Sequence, residues 1–302
     1  MKNNFKLIGA PSSAGAHAPG QEKAPSELRK AGLIQDLTQA GLNVEDCGDL
    51  PGYRYCSDPD SPKARNLDKV VKNAARVMEF VTSTVESGAK YIVIGGDCTN
   101  GVGAITGVMR NKSKRTGVIY LDMHGDLNTP ETVDSGALDW MGVAHMLGAE
   151  GTVKAFAELD GYSPVLQNEQ IVLLGWDYQG SNSDSEREAI IRRRINVVFL
   201  DELKKDPVAA AQKAIQMLGE TDQIVVHFDV DVIDFADCPL SENYRHGEGC
   251  SLDDAKIALS EIARTSEFLG VTVAQLNPDH GEAEQLTLKQ FSKAFASAVA
   301  GQ

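Results

Sequence analysis

Eight short apolar runs, separated by longer amphipathic stretches, limit what this chain can fold into. They are Phe5–Ala10, Asn43–Cys47, Tyr91–Ile94, Val118–Leu121, Ile171–Leu174, Asn196–Leu200, Ile224–Phe228 and Leu269–Ala274. Several are continuous Val/Ile stretches rather than alternating ones, the pattern of strands buried on both faces. The stretches between them predict helices. Pro25 suits a first turn and opens one, and Asn66–Glu86 predicts a long one with Gly88 past its end. Ser183–Arg194, Pro207–Leu218, Ser251–Thr265 and Leu286–Ala300 predict others, with Ser251 and Asp254 spaced like a capping box. Strand–helix alternation of this kind predicts an α/β fold, a mainly parallel sheet covered by helices.

Composition excludes several classes of function. The 302 residues allow two domains or one large one, and no Pro/Gly/Ser-rich linker divides them. Gly52 to Arg65, with Pro59 and Pro62, reads as a surface excursion. The net charge of −14 argues against nucleic acid, whose phosphates need a basic surface, and against an anionic membrane. Lys2 and Lys6 precede no apolar signal core, and no run approaches a membrane span. The cysteines (Cys47, Cys56, Cys98, Cys238, Cys250) are odd in number and lack a Cys-x-x-Cys pair. They predict reduced thiols in a cytoplasmic protein, not a disulfide framework or a zinc ribbon.

Two acidic clusters stand at the ends of predicted strands. Val118–Leu121 runs into Asp122-x-His124-x-Asp126, and Val225–Phe228 into Asp229-x-Asp231, with Asp234 close behind. In an extended chain a spacing of two puts side chains on one face, so each cluster is expected to converge. So many carboxylates converge only around something positive. Two divalent ions bridged by carboxylates and a water are the natural candidate, and they would support hydrolysis at carbon or phosphorus. Gly95-Gly96-Asp97-Cys98 follows a third strand and Gln275-Leu276-Asn277-Pro278 a fourth. Ligands of parallel α/β sheets bind outside the carboxyl ends of the strands, so four such clusters predict one site.

Blander readings exist for each feature. A single aspartate is more simply a helix cap or a solvated turn residue; the pairing of two clusters outweighs that. Gly101-x-Gly103-x-x-x-Gly107, with Asp122 further on, has the outline of a nicotinamide-dependent oxidoreductase. Its glycines start well past the strand end, and close packing of a helix explains them better. His17, His145 and His280 carry little signal, and His227, inside a strand, is expected to be a satisfied core histidine. His246 could face the site or solvent. Specificity is expected in the loops Ser12–Glu22, Trp176–Ser185 and Cys238–Gly249.

In this order, Gly95-Gly96-Asp97, Asp122-x-His124-x-Asp126-x-Asn128-Thr129-Pro130, Asp229-Val230-Asp231-x-x-Asp234 and Asn277-Pro278 resemble the arginase/agmatinase (ureohydrolase) family. Gly9-Ala10-Pro11, the segment Ala24 to Leu33, and Gly48-Asp49-Leu50-Pro51 are similar too. The resemblance covers essentially the whole chain. It implies a single three-layer α-β-α domain over residues 1–302 with a central, mainly parallel eight-stranded sheet, in agreement with the eight runs. It also implies two Mn²⁺ per subunit, a homo-oligomer (trimer or hexamer), and hydrolysis of a guanidino or amidino group on an amino-acid-like small molecule. Carried over by position, it implies metal ligands at Cys98, Asp122, His124, Asp126, Asp229 and Asp231. Asp126 would also steer the attacking water, and Asn128 and Ser135 would hold the amino-acid end of the substrate.

Three positions depart from the family pattern. Cys98 stands where the family has His, and a thiolate is a softer ligand that could favour another divalent ion. The loop Ser135 to Gly142 lacks the His that arginases use as a proton shuttle. Gln275 stands where arginases place a Glu against the guanidinium, and a neutral amide cannot pair with a buried cation. A less basic group would fit better unless Glu248 or Asp279 takes the missing place. Three readings follow: a ureohydrolase with an altered substrate, a plain arginase-like enzyme of reduced activity, or a metal-binding relative that acts through assembly. The first gains from some biosynthetic N-hydroxyarginine hydrolases, which share the His-to-Cys change and a run like His124 to Thr132.

Overall fold

The structure is a computed structural model that describes residues 4–179, 183–282 and 285–302. Lys2, and residues 180–182 of the Trp176–Ser185 loop, therefore lie outside the described residues. The strands are β1 (Asn4–Gly9), β2 (Asn43–Asp49), β3 (Lys90–Ile94), β4 (Thr116–Leu121), β5 (Ile171–Trp176), β6 (Asn196–Phe199), β7 (Gln223–Asp229) and β8 (Phe268–Ala274). All eight apolar runs are strands of one sheet, ordered β2-β1-β3-β8-β7-β4-β5-β6 and parallel throughout.

The helices are α1 (Ala24–Ala31), α2 (Leu33–Gln39), α3 (Leu67–Glu86), α4 (Thr99–Met109), α5 (Gly142–Met146), α6 (Lys154–Ala157), α7 (Asp184–Arg193), α8 (Leu200–Lys205), α9 (Pro207–Met217), α10 (Leu252–Ala263) and α11 (Leu286–Val299). They form two layers. Ile92, Ile119, Val226 and Phe228 point from the sheet into a core with α1, α2 and α8 to α11. Their neighbours Tyr91, Val93, Tyr120 and Val225 point the other way, into a core with α3 to α7. Strands wedged between two cores must be apolar on both faces, which is why β3, β4, β5 and β7 read as continuous runs. Each large side chain fully buried this way contributes about 1.5–3 kcal/mol.

The edges differ from that expectation. β2 is almost entirely exposed, because only β1 flanks it. Its Asp46 and Asp49 pair with Arg29 of α1, and charge along an edge discourages pairing with a further strand. Leu200, assigned from sequence to the sixth strand, begins α8 instead: Glu202 reaches back to the Phe199 amide at 3.1 Å and turns the chain. α2 escaped the pattern reading because Gly32, at φ 107, splits it from α1. Gly52 to Arg65 is the expected surface excursion, mostly exposed and without helix or strand.

The topology fixes where chemistry can occur. β3, β8, β7 and β4 are consecutive at the sheet centre. They carry the four polar clusters at their carboxyl ends. Strand order, not sequence, makes residues near 97, 275, 229 and 122 neighbours.

Candidate active site

The β3–α4 turn is built on close approach. A Cβ at Gly96 would lie 1.8 Å from the Ser12 carbonyl oxygen, so only glycine fits. Asp97 accepts the Thr99 amide at 3.0 Å and the Gly15 amide at 2.8 Å, which fixes the start of α4 and the loop after β1. That turn delivers Cys98, fully buried, with its thiol donating to Asp229 Oδ2 at 2.8 Å.

The acidic clusters share one local design. Asp122 Oδ1 accepts the amide of His124 at 2.6 Å, and Asp229 Oδ1 accepts the amide of Asp231 at 2.8 Å. In each case the first aspartate uses one oxygen to turn the chain and keeps the other for the site. The expected convergence is present, but by this turn and not by an extended run: residues 230–232 form a 3₁₀ turn, and Asp126 has φ 50. Asp126 is held from the far side, its Oδ2 accepting the Tyr120 hydroxyl at 2.5 Å. His124 Nδ1 lies 3.0 Å from Asp231 Oδ2 and 3.4 Å from Asp122 Oδ1.

Two groups of donor atoms result, each gathered within 4.8 Å: Cys98, Asp122, His227 and Asp229, and Asp122, His124 and Asp231. Asp122 belongs to both. Asp122 Oδ2 and Asp231 Oδ1 are buried without a partner among the described residues. Burial, then the charge of Asp231, raises the Asp122 carboxyl to about 6. Asp126 is raised well above the carboxylate range by burial and the charge of Asp122; Asp229 is raised by burial and by Asp231. The Cys98 thiol is also raised, by burial and by Asp229. Burial opposes a charge on His124, but Asp231 and Asp122 together lift it well above the ordinary histidine value. Carboxylates, a thiol and imidazoles that repel or lack partners are a donor set that a pair of divalent cations fits.

Above this floor lies a cavity of about 290 Å³. Of the residues expected from sequence, His124, Asp126, Asn128, Asp229, Asp231 and Gln275 line it, with Cys98 and Asp122 buried beneath. Ser135 does not line it; its hydroxyl turns back to the Ala137 amide. Gln275, at φ 62, is clamped: its amide nitrogen donates to Asp139 Oδ2 at 2.9 Å, and its oxygen accepts from Gln21. Asp139, unnoticed in the sequence, is the acid beside Gln275. Glu248 instead pairs with Arg245 and Asp279 with Lys23, both at the surface. His246 is exposed and packs on Phe235.

Sequence reading missed His17, Trp140, Ser183, Glu186, Glu242 and Arg245 in the cavity wall. All but Glu186 sit on loops or short turns, where no periodicity marks them; Glu186, on α7, had a signal, as a carboxylate inside the first turn of a predicted helix. It is buried, accepts the Leu127 amide at 2.8 Å, and is raised to about 7 by burial. His227 corrects an expectation: it is buried, but neither ring nitrogen has a partner among the described residues. The Gly101–Gly107 stretch is packing, as expected: Cβ atoms at Gly103 and Gly107 would lie 2.4 Å and 2.6 Å from the α3 carbonyls of Ala74 and Met78.

Known proteins of one family match almost the whole chain. The model of the arginase family matches residues 3–300. An arginase of Brevibacillus brevis is 30% identical over 280 residues, covering 92% of each chain. The crystal structure of Bacillus subtilis arginase superposes with a TM-score of 0.86 at 25% identity, covering 99% of both chains. A formimidoylglutamase structure from the same organism, at 18% identity and a TM-score of 0.76 over 99% of this chain and 87% of its own, shares the fold.

Proposed function

From the chain's membership of the arginase family, which holds over nearly its whole length, we infer a ureohydrolase that cleaves a C–N bond in an amino-acid-like compound whose guanidino group is less basic than that of arginine. The family supplies the coarser part, hydrolysis of guanidino C–N bonds. The observation that carries the finer part is Gln275: a neutral amide, held at both ends, faces the cavity where a cationic group would need a carboxylate. N-hydroxyarginine is a compound of that kind.

Cys98, Asp122, His124, Asp126, Asp229 and Asp231 would hold two divalent ions, with Asp122 common to both positions. Manganese is the metal that the family resemblance implies, with another divalent ion open because of Cys98. When bound, such a pair supplies an activated water and a Lewis acid. Asp126, anchored through Oδ2 by Tyr120, would orient that water and take its proton. Asn128, whose Oδ1 accepts the Ser183 hydroxyl at 2.9 Å, would position the amino-acid end. Arg245 and Glu242 in the same wall offer charges complementary to a carboxylate and an ammonium. We read residues 1–302 as one domain of a cytoplasmic homo-oligomer, a reading supported by the family resemblance. No described helix is long and apolar enough to cross a membrane.

The test is a substrate panel with added Mn²⁺, read by release of urea, hydroxyurea and ammonia. It includes arginine, N-hydroxyarginine, agmatine, guanidinobutyrate and formiminoglutamate. N-hydroxyarginine should be turned over best. Arginine hydrolysed with equal or higher kcat/KM sinks the substrate reading, and no turnover of any member favours a binding protein that acts through assembly.

A further inference from the structure

His227 is fully buried, with both ring nitrogens unpartnered among the described residues. It stands on β7 two residues before Asp229, paired in register with Tyr120 of β4. The two rings stack, with centroids 4.2 Å apart and planes at 16°. Across the ring lies Gly101 of α4, where a Cβ would come within 2.2 Å of Nδ1. The fold thus leaves out a side chain to make room for an imidazole that then bonds to nothing else described. A buried polar group left unsatisfied is costly, so such a group in a native core calls for a partner. The available one is close: single donor atoms of Cys98, Asp122, His227 and Asp229 lie within 4.8 Å of one another.

We propose that a ring nitrogen of His227 is a ligand of the ion held by Cys98, Asp122 and Asp229, and that this position is built for a softer ion, Zn²⁺ or Co²⁺, than its neighbour. The proposal rests on the two-ion reading above. One thiolate, one imidazole and two carboxylates make four buried donors, a set suited to zinc or cobalt. The position at Asp122, His124 and Asp231 has no sulfur and opens on the cavity, where His124 is a quarter exposed. Its donors suit a harder ion that keeps water ligands. The two positions therefore differ in preferred metal although they share Asp122. The Cys98 proton leaves to solvent when the ion binds, and the neutral imidazole contributes a lone pair.

Two measurements test this on the full-length protein. In the first, metal-free wild type is loaded with one equivalent of Zn²⁺ and its X-ray absorption recorded. Sulfur and imidazole scattering at the same zinc support the assignment. Sulfur with only oxygen neighbours overturns it and leaves the two-ion reading standing. In the second, Zn²⁺ and Co²⁺ titrations compare wild type with His227→Ser and Cys98→Ser. His227→Ser should weaken the thiolate-bound ion on the order of a hundredfold, since even outer-shell partners are worth ten- to hundredfold. The second ion should bind as before. Cys98→Ser should abolish the thiolate-to-cobalt absorption. Unchanged affinity and cobalt spectrum in a folded His227→Ser variant overturn the role of His227. Failure of wild type to bind any divalent ion overturns the two-ion reading and the proposal together.

Discussion

At the scale of single residues, the site departs from backbone and electrostatic comfort at the same places. Asp126 and Gln275 both have positive φ and both face the cavity, a conformation that costs on the order of 1 kcal/mol or more in a non-glycine residue. Asp126→Ala and Asp231→Ala should each lower kcat by about a hundredfold or more, the usual worth of a positioned acid–base group. Circular dichroism should stay native, because both side chains project from strand ends and not into the core; near-wild-type turnover in either variant would remove that residue from the site. Gln275→Glu puts a carboxylate into the cavity wall. If it pairs with a guanidinium, arginine should bind tighter by about a hundredfold, the equivalent of a recovered buried charge partner. The same change sets two carboxylates side by side at Asp139, so the ligand-free variant should melt lower than wild type. Steady-state kinetics on arginine, with a melting curve, reads both.

His145 gives a pH prediction away from the metal ligands. Its Nδ1 lies 2.7 Å from the Met141 carbonyl oxygen, and its Nε2 accepts the Val153 amide at 3.0 Å. One proton on Nδ1 satisfies both bonds; a second, on Nε2, would point at an N–H. Burial accordingly lowers the pKa from 6.5 to about 4. With a folded value below the unfolded one, this group's stabilisation is complete above 6.5 and is lost as pH falls toward 4. Across that window the stability of His145→Gln should fall less steeply than that of wild type, by about 1.4 kcal/mol per pH unit for the one missing proton. Equal slopes in urea titrations would show that His145 does not titrate as a neutral buried group.

At the scale of elements, α4 and α3 meet backbone to backbone. Gly→Ala inside a helix ordinarily gains about 0.5–1 kcal/mol. At Gly103 the sign should reverse, because the added methyl would lie 2.4 Å from the Ala74 carbonyl oxygen and 3.0 Å from Val77 Cβ. Gly103→Ala should destabilise by about 1–3 kcal/mol, the range for overpacking. A guanidinium midpoint at or above that of wild type would mean that α3 yields. α4 also carries Cys98 at its start and Gly101 against His227, so a shift of this helix would reach the metal ligands.

At the scale of the whole molecule, the folded chain spends stability on holding repelling carboxylates together without a cation. Mn²⁺ or another divalent ion that binds only the folded state should raise the melting temperature by mass action, by about 2.7 kcal/mol at a hundred times Kd. For a chain of 302 residues that is roughly 4 °C. The gain should shrink as pH falls toward 6, where Asp122 takes up its proton, since ligands must be deprotonated to bind. Thermal shift with and without a chelator reads this directly; no shift with Mn²⁺, Co²⁺, Ni²⁺ or Zn²⁺ would leave the carboxylate cluster without its explanation.

Sequence alone determined the strands, the parallel sheet, and the aspartates at strand ends. Those features are local: a run of Val and Ile or a two-residue spacing follows from a few adjacent side chains, and packing on both faces writes itself into every position of a central strand. It could not decide which strand ends meet. β4 lies beyond β7 and β8 from β3, and only that crossover brings Cys98 against Asp229 and Gln275 against Asp139. Tertiary structure alone also decided His227, which reads as core in the chain because burial is periodic, whereas hydrogen-bond satisfaction depends on neighbours far away in sequence. Loop residues such as His17, Glu242 and Arg245 left little or no trace for the same reason: what places them is the frame, not the residues beside them.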